Sequence, residues 1–168
     1  MARPDDLQFL RQVSLFKEIA PGDLEALANR LKSRRLRKGE VLFRQGDPGQ
    51  ELFLIREGSV VISKPVMGRV EQVLARLGQG DFFGEMSLFD RSPRSATVQA
   101  ETASVLLCLD GENLHQLIEA NPSAAAAFFY RLVQVFIQRL KETDDLVAEV
   151  TRWGLEATGL DIEHKLSG

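Results

Sequence analysis

Cysteine is almost missing from this chain of 168 residues: Cys108 stands alone, so no intrachain disulfide can form and a reducing cytosol is the simplest setting. Histidine is nearly as scarce. His115 falls in a helical stretch and His164 near the C-terminal end, and neither makes a cluster with metal-ligand spacing. Long apolar runs are absent too, all falling far short of the roughly 20 residues a membrane helix needs. The N-terminus has Asp5 and Asp6 where a secretory signal needs positive charge, and no apolar segment follows them. A basic excess is also lacking, since the net charge is −3, which argues against a general binder of nucleic acid or anionic membrane. These gaps point to a cytoplasmic protein without a metal cofactor or a nucleic-acid partner. What remains is ordinary: 44% apolar and 27% charged residues, enough for one domain with a real core and a flanking helix or two.

The most informative stretch is Phe82 to Val98, FFGEMSLFDRSPRSATV. Gly84 lacks a side chain, so Gly84-Glu85-Met86-Ser87 can curl into a short helical turn whose first amides have no acceptor of their own and suit an anion. Nine residues beyond Glu85 stands Arg94, whose planar guanidinium can fork onto two phosphate oxygens. Pro93 fixes the backbone just before it, and Ser95 adds a hydroxyl on the same rim. Glu85 is the odd member, because a carboxylate repels phosphate. It makes sense beside a ligand that also offers hydroxyl donors. A phosphate held close to a ribose hydroxyl, as in a 3′,5′-cyclic nucleotide, satisfies both.

Around this stretch the chain changes texture twice. Leu7, Leu10 and Val13 share a helical face, and after Pro21 the residues Leu24, Leu27 and Leu31 recur at helical spacing, so two short helices are expected, joined near Ile19. KSRRLRKG then reads as a solvated strand edge, where basic residues discourage pairing, in preference to a patch for an acidic partner. From Gly39 to Leu109 short β-branched and aromatic runs alternate with turns at Gly46-Asp47-Pro48-Gly49, Glu57-Gly58, Met67-Gly68 and Gly78-Gln79-Gly80. Turns about every ten residues mark an all-β sandwich or barrel. Asp110 can cap a helix through Leu114, Leu117 and Ile118. Asn121-Pro122 starts a long one, whose apolar stripe is interrupted by KETDD and resumes at Leu146, Val147 and Val150.

FGEMSL, a short loop and RSATV resemble the phosphate-binding cassette of the cyclic nucleotide-binding domain family, which includes kinase regulatory subunits, cyclic-nucleotide-gated channels and catabolite-activator-type regulators. KGEVLFRQGD and LFLIREGSVVI extend the resemblance from about Leu15 to Leu140. It implies a mainly β jelly-roll with N-terminal helices and a long C-terminal helix. The expected division is a domain over residues 1–154, made of helices (1–33), jelly-roll (34–109) and C-terminal helices (110–154), followed by a tail (155–168). The ligand site implied is Phe83, Gly84, Glu85, Met86, Ser87, Arg94, Ser95 and Ala96, holding phosphate and ribose, with Phe129, Tyr130, Val133 and Phe136 as candidates to cap the base. Ser95, where threonine is associated with cGMP, leaves cAMP favoured and cGMP open. Gly46, Gly58 and Gly80 match the family's turn glycines and are fold residues.

The resemblance further implies a non-enzymatic sensor whose C-terminal helix moves when ligand binds. It leaves open a homodimer through that helix and an unknown protein effector. After Gly154 only fourteen residues remain, too few for a helix-turn-helix, so a sensor without a DNA-binding module is expected. Two other readings are a cupin-type enzyme, which would need several strand histidines that are not there, and a jelly-roll that keeps the fold without ligand-driven switching. One departure stands out. Kinase-type members tend to carry an acidic residue two before the glycine matching Gly58, orienting the arginine, and here that position is Arg56. Either Glu57 substitutes, or Arg94 is held differently.

Overall fold

Strand β3 (Glu51–Glu57) has four consecutive buried residues, Leu52 to Ile55, in place of the alternation expected of a half-exposed strand. The reason is its place in the middle of a sheet covered on both faces. Residues two apart share a face. Phe53 and Ile55 join a core cluster with Leu36, Leu42, Val60, Phe83, Val98, Ala100 and Leu106. Leu52 and Leu54, on the other face, are also fully buried.

The computed structural model describes residues 4–66, 68 and 70–157. Two helices lead the chain, α1 (Pro4–Gln12) and α2 (Pro21–Ala28), separated by a 3-10 turn at Ser14–Phe16. Eight strands follow: β1 (Lys32–Leu36), β2 (Val41–Phe43), β3, β4 (Val60–Val66), β5 (Val70–Leu77), β6 (Phe82–Phe83), β7 (Thr97–Ala100) and β8 (Ser104–Asp110). They form two antiparallel four-stranded sheets, β1-β8-β3-β6 and β2-β7-β4-β5. Helix α3 (Glu85–Asp90) interrupts the strands, and α4 (Gly111–Ala120) and α5 (Pro122–Ala157) end the described chain. The jelly-roll class and both flanking helical parts are therefore as the sequence led one to expect. β1 is indeed a basic edge strand, exposed from Lys32 to Arg35.

Capping fixes where the C-terminal helices begin. Asp110 accepts from the Asn113 amide at 2.8 Å, and Asn121 Oδ1 accepts from the Ala124 amide at 3.1 Å. Phe16, from the N-terminal turn, stacks on Phe128 with ring centroids 6.1 Å apart, which ties the N-terminal segment to the start of α5. The chain divides after Phe128 into two units. The first holds both sheets and helices α1 to α4. The second holds α5 from Phe129 on, where Tyr130, Val133, Ile137, Leu140, Leu146, Val147, Val150 and Trp153 are all exposed. The helix continues through Lys141 to Asp145 and is described as far as Ala157, so the polar break interrupts the stripe and not the backbone. His164 and the tail beyond Ala157 lie outside the described residues.

Candidate functional site

The expected helical turn forms after Gly84. β6 delivers Phe83 into the core, Gly84 turns the chain, and α3 starts at Glu85. Gly84 has φ +81°, a left-handed conformation that favours glycine. It is also sterically closed to anything larger, since a β-carbon there would lie 2.7 Å from the Glu51 carbonyl oxygen and 3.0 Å from Arg94 Nη1.

Arg94 is the centre of the arrangement. Although it is a cation, it is only 4% exposed. The β2–β3 loop grips its backbone: the Arg94 amide donates to Asp47 O at 2.9 Å, and its carbonyl accepts from the Gly46 amide at 2.8 Å. Its guanidinium lies with Cζ 4.2 Å from the Phe43 ring centroid and 5.5 Å from that of Phe53. Nη1 donates to Glu51 O at 3.0 Å and to Gly84 O at 3.4 Å, and Nη2 donates to Glu51 Oε2 at 2.5 Å. Burial pulls the Arg94 pKa down, and the Glu51 carboxylate pushes back toward the charged form.

Of five guanidinium N–H groups, three are satisfied in this way. Glu51 engages both Nη1 and Nη2 and so occupies the edge between them. Nε, which is buried, has no hydrogen-bond partner among the described residues. With the second Nη2 hydrogen it makes a two-donor edge, the geometry that suits two oxygens of one phosphate. A buried cationic donor without an acceptor is costly unless something else supplies one.

This answers the question raised by Arg56. Its side chain does not reach Arg94 but forms an ion pair with Asp6 of α1 at 3.0 Å. Glu57 is exposed and the acid on Arg94 is Glu51, so the arginine is held differently. Sequence reading missed Glu51 and Phe43, which both touch the Arg94 guanidinium. Only their proximity in the fold marks them, since in sequence each looks like ordinary turn or strand material.

The other expected residues divide by where their side chains go. Phe83 stacks on Phe53 at 5.4 Å within the core, so it can offer a ligand its backbone only. Ser87 and Ala96 are buried, Glu85 is half-buried, and Met86 and Ser95 are exposed. Phe129, Tyr130, Val133 and Phe136 all belong to the second unit, with Phe129 and Phe136 half-buried and the other two exposed. Among the described residues no group of three or more His, Cys, Asp or Glu could hold a metal ion.

Comparison with known proteins decides the family. Residues 33–121, more than half of the chain, match the model of the cyclic nucleotide-binding domain. The chain belongs to that family. A cyclic AMP receptor protein of Thermus thermophilus is 36% identical over 130 residues, 77% of this chain and 58% of the relative. A putative potassium channel protein of Rhodopseudomonas palustris is 40% identical over 114 residues, 68% of this chain and 27% of the relative. The chain thus spans between about a quarter and three-fifths of these relatives. A crystal structure of a cyclic nucleotide-binding domain from Methylobacillus flagellatus superposes with TM-score 0.75 at 28% identity, covering 86% of this chain and 82% of that one. This cyclic nucleotide-binding domain has no described helix long and apolar enough to cross a membrane.

Proposed function

We propose that this domain binds a 3′,5′-cyclic nucleotide, cAMP in preference to cGMP, and works as a regulatory sensor without catalysing a reaction. The observation that carries the reading is the buried two-donor edge of Arg94, beside a glycine-led turn. The cyclic phosphate would sit on that edge and on the first amides of α3, with Ser95 on the rim. Glu85 would accept from the ribose 2′-hydroxyl, the role that makes a carboxylate useful near a phosphate. Gly84, Met86, Ser87 and Ala96, together with the backbone of Phe83, complete the cradle. The relative named as a cyclic AMP receptor supports adenine as the base.

The domain over residues 1–154 would report binding through α5. Ligand shifts a helix only by favouring one arrangement over another, which allows coupling of about 1–3 kcal/mol. Phe129, Tyr130, Val133 and Phe136 are the candidates for capping the base, and the exposed apolar stripe beyond them is a surface for a second copy or a protein effector. Calorimetric titration with cAMP and cGMP, alongside hydrogen exchange over residues 122–153 and sedimentation, tests the reading. Tighter binding of cAMP and ligand-dependent protection in α5 are expected. Failure to bind either nucleotide would remove the proposal, and exchange indifferent to saturating ligand would leave a binder without a switch.

A further inference from the structure

Gly49 differs in its backbone from Gly46, Gly58 and Gly80. Gly46, Gly58 and Gly80 have φ between +83° and +90° and are glycine for conformation, whereas Gly49 has no such backbone constraint. Its constraint is space: a β-carbon built there would lie 2.5 Å from Arg94 Nη2 and 2.6 Å from Cζ, and would also collide with Nε. The crowded atoms are those of the two-donor edge. Across from them, Phe43 supports the guanidinium with its ring. Phe43 is itself held by Phe53 at 6.0 Å and Phe83 at 6.2 Å, rings that stack on each other in the core.

We infer that Phe43 and Gly49 are positioning residues for ligand phosphate, acting through Arg94, an inference that rests on the function proposed above. The Phe43 ring holds the buried cation by its quadrupole as well as by contact, an attraction that grows as water is removed. Leucine at position 43 would fill much of the volume without supplying that field. The missing β-carbon of Gly49 leaves the room that the guanidinium needs to hold its Nε and Nη2 donors where they are. Alanine at 49 would push aside a side-chain end and not backbone, so it would move the guanidinium and spare the fold.

The test is titration of the full chain with cAMP and with its two phosphorothioate diastereomers, which carry sulfur at one or the other exocyclic position. Wild type, Phe43→Leu and Gly49→Ala are compared, each with its thermal melt. Wild type is expected to prefer one diastereomer, because the donor edge has a fixed direction. Gly49→Ala should melt within a few degrees of wild type, bind cAMP at least tenfold more weakly and lose most of the preference. Phe43→Leu should lose roughly two- to thirtyfold in affinity, the span of a cation–ring contact, and narrow the preference. A Gly49→Ala protein with wild-type affinity and preference would overturn the inference, even if Phe43→Leu fails to fold. Wild type that ignores cAMP altogether would instead sink the underlying functional reading.

Discussion

Replacing Arg94 by lysine separates the geometry of the site from its charge. An ammonium has three N–H donors, and three acceptors already surround the arginine head: Glu51 O, Gly84 O and Glu51 Oε2. Lysine that reached them would spend every donor on the protein and keep none for phosphate. Arginine spends three and keeps two. Each bond to a charged group contributes about 1.5–3 kcal/mol, so losing two costs at least about 3 kcal/mol, or roughly a hundredfold in affinity. Arg94→Lys should therefore bind cAMP almost as poorly as Arg94→Ala, although it preserves the charge. Alanine should also lower stability, since it strips the donor from two carbonyls and leaves the Glu51 carboxylate with only the Gln50 amide, which donates to Oε2 at 3.0 Å. That cost stays modest because the Glu51 side chain is 38% exposed and water can serve it. Isothermal titration of both variants, with a melt to confirm folding, makes the comparison. A folded Arg94→Lys protein within threefold of wild type would refute the donor count.

Glu85→Gln should shrink the discrimination between cAMP and 2′-deoxy cAMP, read from paired titrations, because the ribose bond loses its charge assistance. Burial pushes the Asp110 carboxyl up, but bonds from Lys32 and from the Asn113 amide and side chain outweigh it and hold the pKa below 3.8. A depressed carboxylate pKa stabilises the fold fully above the unfolded value and less as pH falls through the folded one. Asp110→Ala should thus cost about 1 kcal/mol at pH 7, with the difference from wild type fading below about pH 4 in denaturant melts. Burial, aided by Glu51 and Asp110, pushes the Cys108 thiol up to about 12, so alkylation by iodoacetamide at pH 8 should run roughly a thousandfold slower folded than unfolded.

What was legible in the sequence was what short range controls. Gly84, Glu85 and Arg94 sit in one stretch whose local chemistry is nearly complete, and the turn glycines announced the sandwich. Basic residues from Lys32 to Arg35 identified an edge strand correctly. The partner of Arg94 was not legible, because Glu51 is 43 residues away and meets it only when β3 and the cassette are brought together. Phe43 looked like any strand aromatic until its ring was found beneath a cation. Two-residue β6 is too short to carry a period, so it was absorbed into the cassette.

The ion pair of Arg56 with Asp6 bears on where this domain can be cut. The family match begins at residue 33, and a minimal fragment designed from it would discard α1. Such a fragment would strand Arg56, whose side chain is only 16% exposed, beside a vacated helix site with no counter-charge. The recognisable stretch is therefore shorter than the compact unit that includes α1. A fragment starting at 33 is expected to be insoluble or to melt early in a thermal scan, and one keeping Pro4 onward to retain the Arg56–Asp6 pair and melt higher. Dividing lines drawn from likeness alone would fall inside a charge pair.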